Sequence, residues 1–232
     1  MKTLSVEKKG VNGDAVATLT RSVSLSSDQY RVLFAKIDLH CRADGKKVIA
    51  ITSTLKGEGK TTTAANLAVV CARDFGKRCL LIDGDVRHPS VATIFQIAEA
   101  PGLVDVVEKR SLLENAMKRG PVENLTLLTI GGSGGKGERL WTSDAIRDLL
   151  SEARGWFDYI FIDSPPILSH VDVNLIAEFS DGVLLVVRAG LAEEALLSQA
   201  VKSLGRAKII GSVLNCEKDE WPIRSYHQYG YY

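Results

Sequence analysis

Ser53-Thr54-Leu55-Lys56-Gly57-Glu58-Gly59-Lys60-Thr61 follows an apolar run, Val48-Ile49-Ala50-Ile51, and precedes a helix-like segment over 62–75. That setting turns a glycine–lysine–threonine string into a phosphate-binding loop. Glycines let backbone N–H groups turn inward and approach an anion closely. A helix N-terminus adds positive potential at the same point. In such a loop Lys60 reaches the β- and γ-phosphates, and the Thr61 hydroxyl ligates Mg²⁺. The chain is therefore expected to bind ATP or GTP.

Outward from this loop, short apolar runs alternate with helical patterns. Strands are expected over 48–52, 78–82, 125–130, 159–162, 183–187 and 209–214. Helices are expected over 62–75, 142–153 and 192–204, with irregular and short helical structure up to about Arg119. Ahead of the first strand, Tyr30, Leu33, Phe34, Ile37 and Cys41 recur at three- and four-residue steps, which predicts a helix from about Asp28. The strands are apolar and β-branched throughout, as expected where both faces are covered. The reading is an α/β P-loop NTPase fold, a mostly parallel central sheet flanked by helices on both faces. Ligands in such folds sit at the carboxyl ends of the strands. The glycine-rich stretch 131–137 reads as a flexible connection rather than a second phosphate cradle.

Three divisions are expected: an arm over 1–24, mobile or loosely docked, a P-loop domain over 25–220, and a tyrosine-rich tail over 221–232. The 232 residues suffice for a substantial core, and 45% apolar with 25% charged residues is ordinary for a globular protein. A formal net charge of +1 gives no long-range pull toward nucleic acid or an acidic membrane, so no nucleic-acid partner is expected. No apolar run approaches the roughly 20 residues that cross a bilayer. The N-terminus lacks a signal-peptide core, so a cytoplasmic location is expected. Cys41, Cys71, Cys79 and Cys216 are scattered and read as buried reduced thiols.

Two acidic groups complete the site. Leu80-Leu81-Ile82-Asp83-Gly84-Asp85 places two carboxylates just past one strand, and Tyr159-Ile160-Phe161-Ile162-Asp163 places a third past another. An aspartate at a strand end beside a P-loop holds Mg²⁺ directly or through water. One or two suffice for the metal, and the third is free to take a proton from an attacking hydroxyl. Asp83 can serve as metal ligand, base or both. The chain closes with Tyr226-His227-Gln228-Tyr229-Gly230-Tyr231-Tyr232, which has neither helical nor strand periodicity. Phenols in such a segment suit use as phosphoryl acceptors better than burial.

Together these residues resemble the bacterial tyrosine kinases of the capsule and exopolysaccharide systems, the CpsD/CapB type. The P-loop resembles that family's Gly-Glu-Gly-Lys-Ser/Thr-Thr. Leu-Leu-Ile-Asp-Gly-Asp-Val-Arg-His-Pro at 80–89 resembles its apolar run followed by Asp-x-Asp-x-Arg, and Ile-Asp-Ser-Pro-Pro at 162–166 resembles its third motif. The resemblance implies phosphoryl transfer from ATP–Mg²⁺ to C-terminal tyrosines in trans. Gly57, Glu58, Gly59, Lys60, Thr61 and Thr62 would bind phosphates, and Asn215 would read adenine. Thr61, Asp83, Asp85 and Asp163 would share the metal and activation of the tyrosine hydroxyl, with Arg87 in the wall. Tyr226, Tyr229, Tyr231 and Tyr232 would accept the phosphoryl group. Implied partners are further copies of the chain, a membrane-embedded activator or polysaccharide co-polymerase that holds it at the inner membrane face, and a cognate tyrosine phosphatase. Two departures stand out: Asp28, Arg31 and Phe34 occupy the family's Glu-x-x-Arg-x-x-Arg contact positions, and glycines replace the Pro-rich turn near 131–140. The rivals are a partition- or division-type switch ATPase, which would carry a lysine at the position of Leu55, and a nucleotide-binding assembly scaffold without kinase activity.

Overall fold

The computed structural model describes residues 16–20, 24–45, 47–132, 137–142, 144–169, 172–204 and 209–216. Among these residues seven strands form one sheet: β1 (Val48–Ser53), β2 (Cys79–Asp83), β3 (Lys118–Arg119), β4 (Leu125–Leu128), β5 (Tyr159–Asp163), β6 (Gly182–Arg188) and β7 (Ile209–Asn215). Their spatial order is β3-β4-β2-β5-β1-β6-β7. Every pairing is parallel except that of β3 with β4. The helices are α1 (Ala17–Thr20), α2 (Leu25–Asp44), α3 (Lys60–Arg73), α4 (Val91–Phe95), α5 (Leu103–Val107), α6 (Leu113–Ala116), α7 (Asp144–Trp156), α8 (Asp172–Phe179) and α9 (Glu194–Leu204), with a 3₁₀ turn at Gly137–Thr142.

Period-two alternation along the strands sorts the apolar side chains into two cores. Val48 and Ala50 of β1, Leu80 and Ile82 of β2, and Ile160 and Ile162 of β5 pack with α7, α8 and α9. Ile49, Ile51, Leu81 and Phe161 point the other way and pack against α2 and α3. Covering both faces buries every residue of β1, β2 and β5, and this is why those strands read as unbroken apolar runs. β7 lies at the edge and is only partly covered. Cys216 follows it and is exposed, unlike the buried Cys41, Cys71 and Cys79, so the expectation of four buried thiols fails at the edge strand.

Some boundaries differ from those expected, for local reasons. β4 stops at Leu128 because the carbonyls of Thr129 and Ile130 accept the N–H groups of Leu103 and Val104 at the start of α5, at 2.8 and 2.9 Å. α2 starts earlier than expected because the Ser24 hydroxyl accepts the Ser27 N–H and caps it. α8 lies outside the expected helices although Asp172 in its first turn and Val173, Ile176 and Ala177 at three- and four-residue steps signal one, whereas the two-residue β3 is too short to alternate. In the expected arm, Val16 and Thr18 are fully buried, and the Thr18 N–H donates to Asn66 Oδ1 on α3 at 3.0 Å.

Phe34 is an interior residue. Its ring lies edge-on to Phe75 and Tyr159, with centroids 4.6 and 5.2 Å away. Asp28 and Arg31 are joined to each other, and Arg31 also pairs with Asp74 at the end of α3. The position that carries an arginine in the family's contact pattern thus serves here to seat α2 on the sheet. Tyr159 adds a second tie by donating its hydroxyl to the buried Asp38 at 2.7 Å. Phe34→Ala is expected to destabilise the fold by about 3–5 kcal/mol. A urea titration checks this as a lowered midpoint at unchanged slope.

Candidate active site

The C-terminal ends of β1, β2 and β5 meet at one rim. Parallel register sets Asp83 beside Asp163 and Ile51 beside Asp163. The P-loop leaves β1 and runs into α3 through Gly59, whose φ of 93° only glycine adopts without strain. A Cβ there would also lie 2.1 Å from Asn215 Nδ2. Lys60 opens α3 and reaches back over the rim. Its Nζ lies 3.1 Å from Asp85 Oδ2, 3.7 Å from Asp163 Oδ1 and 3.3 Å from Thr61 Oγ1.

The three aspartates differ in what occupies their oxygens. Asp83 is fully buried, and its Oδ2 accepts the N–H groups of Ser90 and Val91 at 2.8 and 2.9 Å. Its Oδ1 accepts the Asp85 N–H at 3.3 Å. Those backbone donors hold the carboxylate at the start of α4, whereas the sequence placed it among metal ligands and bases. Asp85 accepts the His88 N–H and faces the cleft. Asp163 is buried, and neither of its oxygens has a hydrogen-bond partner. Behind them, the Gly84 N–H donates to the Asp163 carbonyl at 2.8 Å, and the buried Trp141 indole donates to the Gly84 carbonyl at 3.3 Å. A Cβ on Gly84 would come within 2.8 Å of the Asp163 carbonyl oxygen, so glycine is required for the two strand ends to meet.

Burial raises the Asp83 carboxyl to about 7, helped by the nearby charge of Asp163. Burial likewise raises Asp163, to about 6, against the opposing pull of Lys60. Burial alone would lower Lys60, but attraction to Asp163 and Asp85 wins and holds its ammonium above the ordinary lysine range.

The cleft in front of these groups has a volume of about 210 Å³ and is lined by Lys56, Gly57, Gly59, Lys60, Thr61, Asp85, His88, Ser90 and Pro166. Lys56, His88, Ser90 and Pro166 were not among the candidates read from sequence. The Asp-x-Asp-x-Arg-His run was the signal that could have found His88. Arg87 is exposed, and Thr62, at the first turn of α3, accepts from Asn66 through its carbonyl. Glu58 turns inward, and the Asn215 amide donates to the Glu58 carbonyl at 2.9 Å, so both pack behind the loop. At the start of the glycine-rich stretch, Gly132 N–H donates to Asp105 Oδ2 and Gly131 N–H to Glu99 Oε1. Those donors already serve carboxylates and are not open to a phosphate. Tyr226, Tyr229, Tyr231 and Tyr232 lie outside the described residues.

A family model described as an AAA domain matches residues 46–208. Tyrosine-protein kinase YwqD of Bacillus subtilis is 36% identical over 94% of this chain and 90% of its own length. Tyrosine-protein kinase CpsD of Streptococcus pneumoniae serotype 4 is 33% identical over 83% and 85%. The chain belongs to the bacterial tyrosine kinases. Among solved structures, the BceF tyrosine kinase domain matches the kinase with a TM-score of 0.78 at 30% identity, covering 86% of this chain and 81% of that one. The chimerical protein CapA2B2 matches with 0.81 at 28% identity, covering 87% and 89%. The cell division ATPase MinD of Pyrococcus furiosus matches less fully, with 0.60 at 25% identity over 73% and 71%. The kinase also matches the succinoglycan biosynthesis transport protein ExoP of Rhizobium meliloti, at 34% identity over 73% of this chain but only 22% of that protein. The switch-ATPase reading is therefore not favoured.

The raised Asp163 sets a pH dependence. An unfolded aspartate titrates near 3.9, so between about pH 4 and 6 the native kinase holds a proton that the unfolded chain has lost. Stability from this group is present at low pH and falls as pH rises through that window. Asp163→Asn removes the penalty. The stability of the variant relative to the parent is expected to rise between pH 4 and pH 7 by on the order of 1 kcal/mol, measured by thermal unfolding without added metal.

Proposed function

We propose that the kinase transfers the γ-phosphoryl group of ATP to tyrosine hydroxyls in its own C-terminal segment, largely between copies of the chain. The observation that carries this reading is the cleft itself: a P-loop whose lysine stands between two carboxylates at the sheet rim. The kinase domains among its relatives supply the class of acceptor.

The residues present fit Mg²⁺. The set is all oxygen, which suits a hard cation, and buried Asp163, with Lys60 no nearer than 3.7 Å and no hydrogen bond to either oxygen, has oxygens left to ligate one. Asp163 and the Thr61 hydroxyl would hold it, which leaves Asp85 free. When bound, the ion neutralises charge on the phosphate oxygens. Gly57, Gly59, Lys60, Thr61 and Thr62 receive the triphosphate. Lys60 is held near the rim by Asp85 and Asp163 and moves onto the phosphates as their charge enters. In the transfer, the bond from the γ-phosphorus to the bridging oxygen breaks, a bond from that phosphorus to the phenol oxygen forms, and ADP leaves. Free phenol has a pKa of about 10, so a neighbouring carboxylate must take its proton. Asp85 faces the cleft and is placed to do so. Asp83 acts behind it by fixing the Asp85 backbone and the start of α4.

The same reading extends to partners. The match to ExoP covers only 22% of that transport protein, and CapA2B2 is a chimerical protein. Among the described residues no helix is long and apolar enough to cross a membrane. We infer that the kinase works beside a membrane-embedded co-polymerase, assembles with further copies of itself, and is reset by a tyrosine phosphatase, in the control of capsular or exopolysaccharide synthesis and export. Each phosphotyrosine adds roughly −1.5 to −2 charges. Repeated transfer therefore drives the tail away from the carboxylates at the rim.

Lys60→Met is expected to abolish phosphotyrosine and, by leaving Asp85 and Asp163 without their cation, to lower the unfolding midpoint while the protein stays folded at the assay temperature. Deleting 226–232 is expected to remove most self-labelling and to spare ATP binding. Mass spectrometry after incubation with ATP–Mg²⁺ reads both. Undiminished label in the lysine variant would remove Lys60 from the chemistry, and label persisting after the deletion would place the acceptor elsewhere.

A further inference from the structure

Glu58 lies between two glycines of the phosphate loop, yet its side chain is fully buried and turned away from the cleft. Oε2 accepts the Leu55 N–H at 2.6 Å, at the entry to the loop. Oε1 accepts the Arg188 N–H at 3.3 Å, at the end of β6. The loop's own carbonyls are held as well. Arg188 Nη1 donates to the Gly57 carbonyl at 3.3 Å, and Asn215 Nδ2, at the end of β7, donates to the Glu58 carbonyl at 2.9 Å. One buried carboxylate and two donors therefore join the turn to the ends of two strands that are not its own.

Peptide geometry gives these contacts a consequence for the ligand. In a trans peptide the C=O of one residue and the N–H of the next point in opposite directions. Holding the Gly57 carbonyl on Arg188 sends the Glu58 N–H the other way. Holding the Glu58 carbonyl on Asn215 does the same for the Gly59 N–H. Left free, glycine-flanked peptides flip readily, because glycine adopts both signs of φ. Gly57 and Gly59 have φ of 88° and 93°. A loop that must present its N–H groups to an anion gains when those planes are fixed beforehand.

We propose that the Glu58 side chain is a positioning group for the ATP phosphates: with Arg188 and Asn215 it clamps the loop so that the backbone N–H groups face the ligand, while the carboxylate itself does not touch the nucleotide. The clamp explains the residue type. Aspartate is a methylene shorter and cannot span both donors. Glutamine has one acceptor atom and sets an NH₂ group against the other N–H. It also gives Asn215 a function distinct from adenine recognition, and it makes Arg188 part of the loop's support.

This inference rests on the reading of the cleft as the ATP site, and the test separates the two. Binding of Mg–ADP is measured by calorimetry for the parent, Glu58→Ala and Glu58→Gln. Backbone amide exchange is followed in the nucleotide-free proteins. Glu58→Ala is expected to bind on the order of tenfold more weakly, with the glutamine variant in between. Exchange is expected to quicken over 54–60 while β5 and α2 keep the parent's rates. A parent that binds and an alanine variant that binds equally well overturn the clamp alone. Weaker binding accompanied by faster exchange throughout β5 and α2 also overturns it, because Glu58 would then support the fold at large. A parent that does not bind Mg–ADP overturns the ATP reading and the clamp with it.

Discussion

Parallel pairing of β2 with β5 sets Asp83 directly beside Asp163, out of water and within reach of Asp85. Carboxylates in that position are costly to bury together, and the surrounding structure is organised to offset the cost. Asp83 is offset by three backbone N–H groups, which also fix the start of α4. Asp85 and Asp163 are offset by Lys60, which opens the helix that the phosphate loop creates. Loop, helix and strand ends thus depend on one another electrostatically, and the remaining negative potential is what a bound cation would answer.

Two glycine-rich stretches in this chain have opposite fates, and their neighbours decide it. In the P-loop the only carboxylate within the turn, Glu58, is folded behind the backbone. At 131–132 the N–H groups point at Asp105 and Glu99 and are already satisfied. Asp105 is further neutralised by Arg110 at 2.8 Å, which leaves a compact structural knot. Glycine content gives a loop freedom of shape; the charges around it determine whether an anion can use that freedom.

Much of this was legible in the sequence because burial on both faces writes itself as continuous apolar, β-branched runs. Six strands could be read, and the runs that end in Asp83 and Asp163 marked the rim. What the runs do not encode is the direction of side chains in irregular backbone. Nothing in the string shows that Glu58 turns inward while Lys60 turns outward, or that Ser90 and Val91 return to occupy Asp83. Phe34 was compared with a contact arginine, although its three- and four-residue spacing with Tyr30, Ile37 and Cys41 already pointed to the interior. That spacing reports a buried face, and the aromatic cluster with Phe75 and Tyr159 is its physical content. Asn215 sits at a strand end where several partners are chemically possible, and only the fold selects the Glu58 carbonyl.

The strand order carries a consequence for how the molecule comes into being. β1 and β2 are close in the chain, but β5 lies between them in the sheet. Long-range parallel pairing of this kind is slow to form. During synthesis, the segment bearing the phosphate loop and the segment bearing Asp83 emerge first and have no sheet contact with each other until residues 159–163 arrive to bridge them. A nascent chain halted before that point holds Lys60, Asp83 and Asp85 without the sheet register that brings their strands together, so the rim takes shape only when translation is well advanced.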